Sequence, residues 1–309
     1  MTAQRYSGLF PVAPTPFTDN GDIDIEGQRR VLDCMIDQGV DGICLLANYS
    51  EQFLLSDEER KLLTEVALEH VADRVPVMVT CSHFSTQIAA QRAAQAARLG
   101  ARLIMMMPPY HGSNWAGIKV DEAAIYEHFS VVAEAAKIPI MIQDAPLSGV
   151  NLSVDFLVRI ARNLPLVRYF KIEVVGTAAK LRKLISEGGE AIEGPFDGEE
   201  AITLMADLDA GATGVMASAM IPDLIKPVIQ NHQNGDREAA ARQYERILPL
   251  INFENRQCGL RAAKAVMLEG KVIKSDHVRH PLEQLHPATR AGLLELVQAA
   301  DPIALRWGH

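Results

Sequence analysis

The feature that most constrains this chain is an alternation. A short apolar run is followed by a longer amphipathic stretch, eight times over, ending near Gln230. The runs are residues 9–13, 42–47, 75–81, 102–108, 138–145, 167–173, 191–195 and 214–219. Most are near-continuous Val, Ile, Leu or Met, which marks strands covered on both faces, as parallel strands are. Parallel neighbours need crossover helices, and eight strand–helix units close a (β/α)8 TIM barrel. An open doubly wound sheet is the alternative. It loses ground because neither a Gly-x-Gly-x-x-Gly nor a Gly-x4-Gly-Lys-Ser/Thr phosphate loop is present.

Helix signals fill the gaps. Ser56-Asp57-Glu58-Glu59 reads as a capping box, followed by the apolar stripe Leu62, Leu63 and Val66. Ser153 precedes Phe156, Leu157 and Ile160 at the same spacing. Gly39, Gly100, Gly188 and Gly211 stand where helices should end, since the residue after a helix often needs positive φ. Beyond the eighth unit, residues 238–251, 256–268 and 282–298 show helical periodicity. The expected organisation is a barrel over 1–231 and a C-terminal helical extension over 232–309, packed on it as one structural unit. A length of 309 residues fits this plan, with no Pro/Gly/Ser linker to mark a second domain.

Composition removes several function classes. With 48% hydrophobic and 22% charged residues, neither disorder nor coiled coil can be the main architecture. The net charge of −9 and the lack of a basic stripe argue against a nucleic-acid partner. No apolar run approaches the roughly 20 residues of a membrane span. The opening Met1-Thr2-Ala3-Gln4-Arg5-Tyr6 has no signal-peptide apolar core, so a cytoplasmic location is expected. The four cysteines, Cys34, Cys44, Cys81 and Cys258, form no Cys-x-x-Cys pair and read as small buried hydrophobes.

In a barrel, chemistry sits at the C-terminal ends of the strands. On the sixth run, alternation puts Tyr169, Lys171 and Glu173 on one face. An inward Lys171 would be enclosed, and burial disfavours a lysine's charged form. A neutral amine can attack a ketone and form a Schiff base. The same pattern also fits a structural lysine paired with Glu173. Ala47-Asn48-Tyr49-Ser50-Glu51-Gln52 can bind a carboxylate through backbone amides, or be an ordinary βα loop. Pro108-Pro109-Tyr110-His111-Gly112 offers a proton relay or a surface turn. The acids of Glu193-Gly194-Pro195-Phe196-Asp197-Gly198-Glu199-Glu200 suit the start of a helix better than a metal site. Asp22-Ile23-Asp24-Ile25-Glu26-Gly27 mimics a calcium loop, but position twelve is Asp33, and a turn is the better reading. No metal site is expected.

At Lys171 and these strand-end motifs the chain resembles the dihydrodipicolinate synthase / N-acetylneuraminate lyase superfamily of Schiff-base aldolases and dehydratases. The resemblance runs from Thr15-Pro16-Phe17 through Gly211-Ala212-Thr213-Gly214-Val215-Met216 into the tail. It places the superfamily's imine-forming lysine on Lys171 and its Gly-Thr-Thr-Gly-Glu carboxylate loop on Ala47-Asn48-Tyr49-Ser50-Glu51. Two departures narrow it. Gln143 stands where the superfamily carries a proton-shuttling tyrosine, and an amide is neither acid nor base near neutral pH. Leu147-Ser148-Gly149 follows Pro146 without the synthases' arginine, which disfavours dihydrodipicolinate synthesis.

The segments around Asn48, Gln143, Lys171 and Gly194, with the tail Leu305-Arg306-Trp307-Gly308-His309, point to the branch that dehydrates 2-keto-3-deoxy-L-arabonate. The implied product is 2,5-dioxopentanoate, in non-phosphorylating pentose catabolism. The resemblance implies catalytic roles for Lys171 and Glu173, with Tyr110 second as proton carrier. It implies substrate binding by Asn48, Tyr49, Ser50, Gln143 and Gly194. It requires no cofactor and no metal, because the imine is the electron sink. Its expected partners are a small 2-keto-3-deoxy sugar acid and further copies of the chain, as a tetramer built from two dimers. The alternatives are an aldolase giving pyruvate and an aldehyde, a 5-keto-4-deoxyglucarate-type dehydratase, and a barrel that only binds keto acids.

Overall fold

The structure is a computed structural model, and it describes residues 5–109 and 120–309. Tyr110, proposed above as a proton carrier, lies outside the described residues, as do His111 and Gly112.

Strands and helices alternate along the chain. The order is β1 (Gly8–Leu9), α1 (Ile25–Asp37), β2 (Ile43–Leu45), α2 (Asp57–Val71), β3 (Val77–Thr80), α3 (Thr86–Leu99), β4 (Leu103–Met106) and α4 (Glu122–Ala136). It continues with β5 (Ile140–Asp144), α5 (Val154–Asn163), β6 (Val167–Ile172), α6 (Thr177–Gly188), β7 (Gly194–Asp197), α7 (Leu204–Asp209), β8 (Gly214–Val215) and α8 (Pro222–Gln233). The extension comprises α9 (Arg237–Phe253), α10 (Arg261–Glu269), α11 (Pro287–Ala300) and α12 (Ile303–Arg306). The eight strands belong to one sheet, ordered β1-β8-β7-β6-β5-β4-β3-β2. This is the (β/α)8 arrangement with a C-terminal helical extension that the alternation requires.

The chain divides into two compact units. The first holds residues 78–199 and 206–216 with the segment up to Ser7. Its strands pair in parallel, in the registers Gln143↔Lys171 and Lys171↔Phe196. Side chains therefore stack in layers across the strands. Gly194 lies opposite Tyr169, where a Cβ would come within 2.2 Å of the phenol ring. The glycine is what admits the ring to that layer. The second unit holds residues 8–77, 200–205 and 217–309. In it, Val12 bridges Cys44 and Ser218, both in parallel, so the continuation of β1 ties β2 to the segment leaving β8.

The serine caps act as expected, whereas Gly188 is still helical with Gly189 taking the positive φ, and Leu62 of the expected apolar stripe is exposed while Leu63 and Val66 are buried. Ser56 Oγ accepts from the Glu59 amide at 3.2 Å, and the Glu59 carboxylate accepts from the Ser56 amide at 2.9 Å. Ser153 caps α5 through the Phe156 amide at 3.1 Å, and Phe156, Leu157 and Ile160 are buried beneath it. Asp24 caps α1 through the Gly27 amide, so the calcium-like segment is a helix start. All four cysteines are buried thiols outside any disulfide.

The seventh strand corrects the sequence reading. It spans Gly194–Asp197, later than expected, and α7 begins only at Leu204. The acids around Asp197 therefore do not open a helix. Asp197 ends the strand and is fully buried. The second helical run of the extension also starts late: residues 254–258 form a π turn ahead of α10.

Candidate active site

Three of the expected residues meet at the ends of β5 and β6. Lys171 is 2% exposed, and its Nζ lies 3.0 Å from Glu173 Oε2. Gln143, its neighbour in register on β5, donates from Nε2 to the same Glu173 oxygen at 2.9 Å. The amide is fully buried, and its Oε1 has no hydrogen-bond partner among the described residues. A buried acceptor without a donor is costly, which makes this oxygen a candidate to accept from a bound group. Glu173 is 23% exposed, enough to meet such a group.

The backbone shapes the space around the lysine. Gly198 follows β7, and a Cβ there would lie 2.7 Å from Lys171 Cγ and 2.8 Å from the Ile172 carbonyl. Its amide donates to that carbonyl at 2.9 Å, which holds the chain close to the lysine stem. Tyr169, one layer below, is turned to other work. Its hydroxyl donates to Glu193 at 3.3 Å and accepts from the Tyr6 amide at 3.3 Å. Burial and then the Glu193 carboxylate push its phenol up to about 12, unsuited to proton shuttling at neutral pH. Gly194 sits in that lower layer, away from Lys171 in register.

Two buried carboxyls flank this cluster, and neither was singled out from the sequence. Asp144, at the end of β5, pairs with Lys180 at 2.5 Å, and burial raises its carboxyl against the pull of that ammonium. Asp197 is pushed up to about 8, chiefly by burial and then by the Asp207 carboxylate, while the Glu199 amide and Lys171 pull it down. Asp197 lay inside the acid run read as a helix start. Lys180 carries no sequence signal that separates it from a surface lysine.

The second unit carries the other expected group. Asn48–Ser50 form a single 3-10 turn after β2, and the chain leaves it through Glu51 at φ 59. Ser50 is buried, and its hydroxyl donates to the Ala13 carbonyl at 2.6 Å while accepting from the Ala47 amide at 3.3 Å. Thr15 Oγ1 donates to the Ser50 carbonyl at 2.8 Å. Gln52 donates to the Asn48 side chain. The Ser50 hydroxyl thus braces the turn, and Tyr49 is half-buried. Beneath the turn, Glu51 and Lys264 form an ion pair closed to solvent, which sequence reading did not reveal.

A profile of the Dihydrodipicolinate synthetase family matches residues 5–300. The chain is 54% identical over 305 residues to an L-2-keto-3-deoxyarabonate dehydratase of Azospirillum brasilense, covering 99% of this chain and 98% of that protein. It is 30% identical over 283 residues to a 4-hydroxy-tetrahydrodipicolinate synthase of Rickettsia canadensis, covering 90% and 87%. A Pseudomonas aeruginosa crystal structure described as a dihydrodipicolinate synthetase matches with a TM-score of 0.88 at 30% identity, covering 95% of this chain and 99% of that one. Among the described residues, no helix is long and apolar enough to cross a membrane.

Proposed function

The chain belongs to the dihydrodipicolinate synthetase family, and on that premise we propose that it is a lyase that dehydrates 2-keto-3-deoxy-L-arabonate to 2,5-dioxopentanoate through a Schiff base on Lys171. The observation that carries this reading is the Lys171–Glu173–Gln143 cluster. A buried amine touches one carboxylate oxygen, and a buried amide fixes that same oxygen. The 54% identity to the Azospirillum dehydratase supports the choice of substrate.

The chemistry follows from the groups present. Glu173 receives the proton that the lysine must lose before its Nζ attacks the C2 ketone. Glu173 returns that proton to the carbinolamine hydroxyl, which leaves as water, and the resulting protonated imine acidifies C3. A base, assigned to Glu173, takes the C3 proton, and the enamine expels the C4 hydroxyl with a proton as water. Loss of a proton from C5 gives the enol that becomes the aldehyde, and hydrolysis of the imine frees the product. Gln143 cannot carry these protons. Its amide N–H orients Glu173, and its open Oε1 accepts from a substrate hydroxyl. The substrate carboxylate is assigned to the amides and side chains of Asn48 and Tyr49, in a turn that Ser50 braces by donating its hydroxyl to the Ala13 carbonyl and its amide to the Ala47 carbonyl. Tyr110 remains the second candidate for proton carrier. A cytoplasmic homotetramer goes with this reading.

Product analysis tests it. The protein mixed with 2-keto-3-deoxy-L-arabonate should yield 2,5-dioxopentanoate, and Lys171→Ala should yield none while staying folded. Pyruvate with glycolaldehyde would instead make it an aldolase, and an active Lys171→Ala would end the imine account.

A further inference from the structure

The buried ion pair under the Asn48–Ser50 turn has no part in the chemistry above, yet it is the most enclosed charge contact in the second unit. Glu51 and Lys264 side chains are both 0% exposed. Each charge is fully committed. Lys264 Nζ donates to Glu51 Oε1 and, at 2.8 Å, to the His277 carbonyl, and it sits 4.3 Å from the centre of the Phe17 ring. Glu51 Oε2 accepts from the Arg279 amide at 3.0 Å. Arg279 in turn holds Glu59 through both carboxylate oxygens and the Leu54 carbonyl at 2.8 Å.

Burying such a pair costs desolvation that its mutual attraction roughly offsets, so stability alone does not explain it. Its place does. Glu51 is a non-glycine residue in the left-handed region, with φ 59 and ψ 41, a conformation that persists only when its surroundings impose it. Glu51 is also the residue through which the turn 48–50 ends, so fixing its side chain fixes the direction of the turn's amides.

We propose that Lys264 and Glu51 are positioning residues: through this buried pair, α10 and the segment 275–281 hold the Asn48–Ser50 turn in the conformation that receives the substrate carboxylate. The inference rests on the reading of that turn as the carboxylate seat. It makes the helical extension part of substrate recognition without giving it a contact to the substrate. Burial lowers the Lys264 ammonium to about 8 against the pull chiefly of Glu51 and then of Asp276.

The test compares wild type with the variant Glu51→Gln/Lys264→Met, which removes both charges and so leaves no lone buried ion. The readouts are kcat and KM for 2-keto-3-deoxy-L-arabonate. Borohydride trapping on Lys171 adds a third, with pyruvate and its uncharged analogue pyruvamide as probes. Wild type should trap pyruvate at least tenfold more efficiently than pyruvamide. The folded double variant should lose most of that preference and show KM raised about tenfold or more with kcat within about twofold. A folded double variant that keeps wild-type KM and the full pyruvate preference overturns the positioning role alone. A wild type that traps both probes equally shows that there is no carboxylate seat, which removes the underlying reading as well. If the double variant does not fold, the single variant Lys264→Arg, which keeps the charge but displaces the Nζ position, should show the same KM and preference shifts. Wild-type values there overturn the proposal.

Discussion

At the scale of single residues the proposed chemistry turns on one carboxylate oxygen. Glu173 Oε2 faces the Lys171 ammonium at 3.0 Å and the Gln143 amide at 2.9 Å. If Glu173 is the proton carrier, Glu173→Gln should lower kcat by roughly 10²–10⁴-fold with little change in KM. Steady-state kinetics decide it, and an unchanged kcat would move the base elsewhere. Gln143 plays a different part. Gln143→Met deletes the open acceptor and the donor to Glu173 while keeping the volume. A neutral hydrogen bond contributes about 0.5–1.5 kcal/mol, so KM for the hydroxylated substrate should rise by roughly two- to tenfold. Binding of pyruvate, which has no hydroxyl to offer Oε1, should stay near wild type. Equal losses for both ligands would deny Oε1 a role in reading the hydroxyl.

At the scale of elements, β7 and the bend after it set the walls of the cluster. Gly198→Ala would place a methyl group 2.7 Å from Lys171 Cγ, so trapping on Lys171 should slow severalfold while the fold survives. Asp197 gives a pH signature for the same strand. Its folded-state value, about 8, lies above the ordinary 3.8, because burial and Asp207 favour the protonated form. Its favourable contribution is therefore fully present below about 4 and is lost as pH rises through about 8. Asp197→Asn imitates the protonated acid. The variant should gain stability over wild type as pH rises from 4.5 to 8, measured by urea midpoints, and a gap that does not widen contradicts this. The strands themselves were legible wherever Val, Ile, Leu and Met run together. β7 was displaced because Gly194, Pro195 and Asp197 are poor strand residues, while Ala191 and Ile192 just before them look apolar. Lys171 and Glu173 were legible because strand alternation is local. Glu51 and Lys264 are 213 residues apart, and no local pattern records such a contact.

At the scale of the whole molecule, the buried groups that the mechanism does not use decide how the protein responds to acid. His128 on α4 is 1% exposed, with Nδ1 2.9 Å from the Thr86 hydroxyl. Burial, and then His83, hold it down to about 4 against an ordinary 6.5. The folded state resists a proton that the unfolded chain accepts, so stability is full above about 6.5 and falls as pH drops through about 4. The loss is about 3 kcal/mol across that window. His128→Gln should flatten this part of the acid limb in denaturant titrations, and an unchanged limb would place the acid sensitivity elsewhere. The barrel could be read from eight repeated units and the extension from its helical periodicity, but the pairing of Glu51 with the distant Lys264 could not. An imine on Lys171 is tested most directly by borohydride reduction of the protein with 2-keto-3-deoxy-L-arabonate, followed by peptide mapping by mass spectrometry. An adduct on Lys171, and none in Lys171→Ala, is the expected result. An unmodified Lys171, under conditions in which a known imine-forming aldolase is trapped, would contradict it.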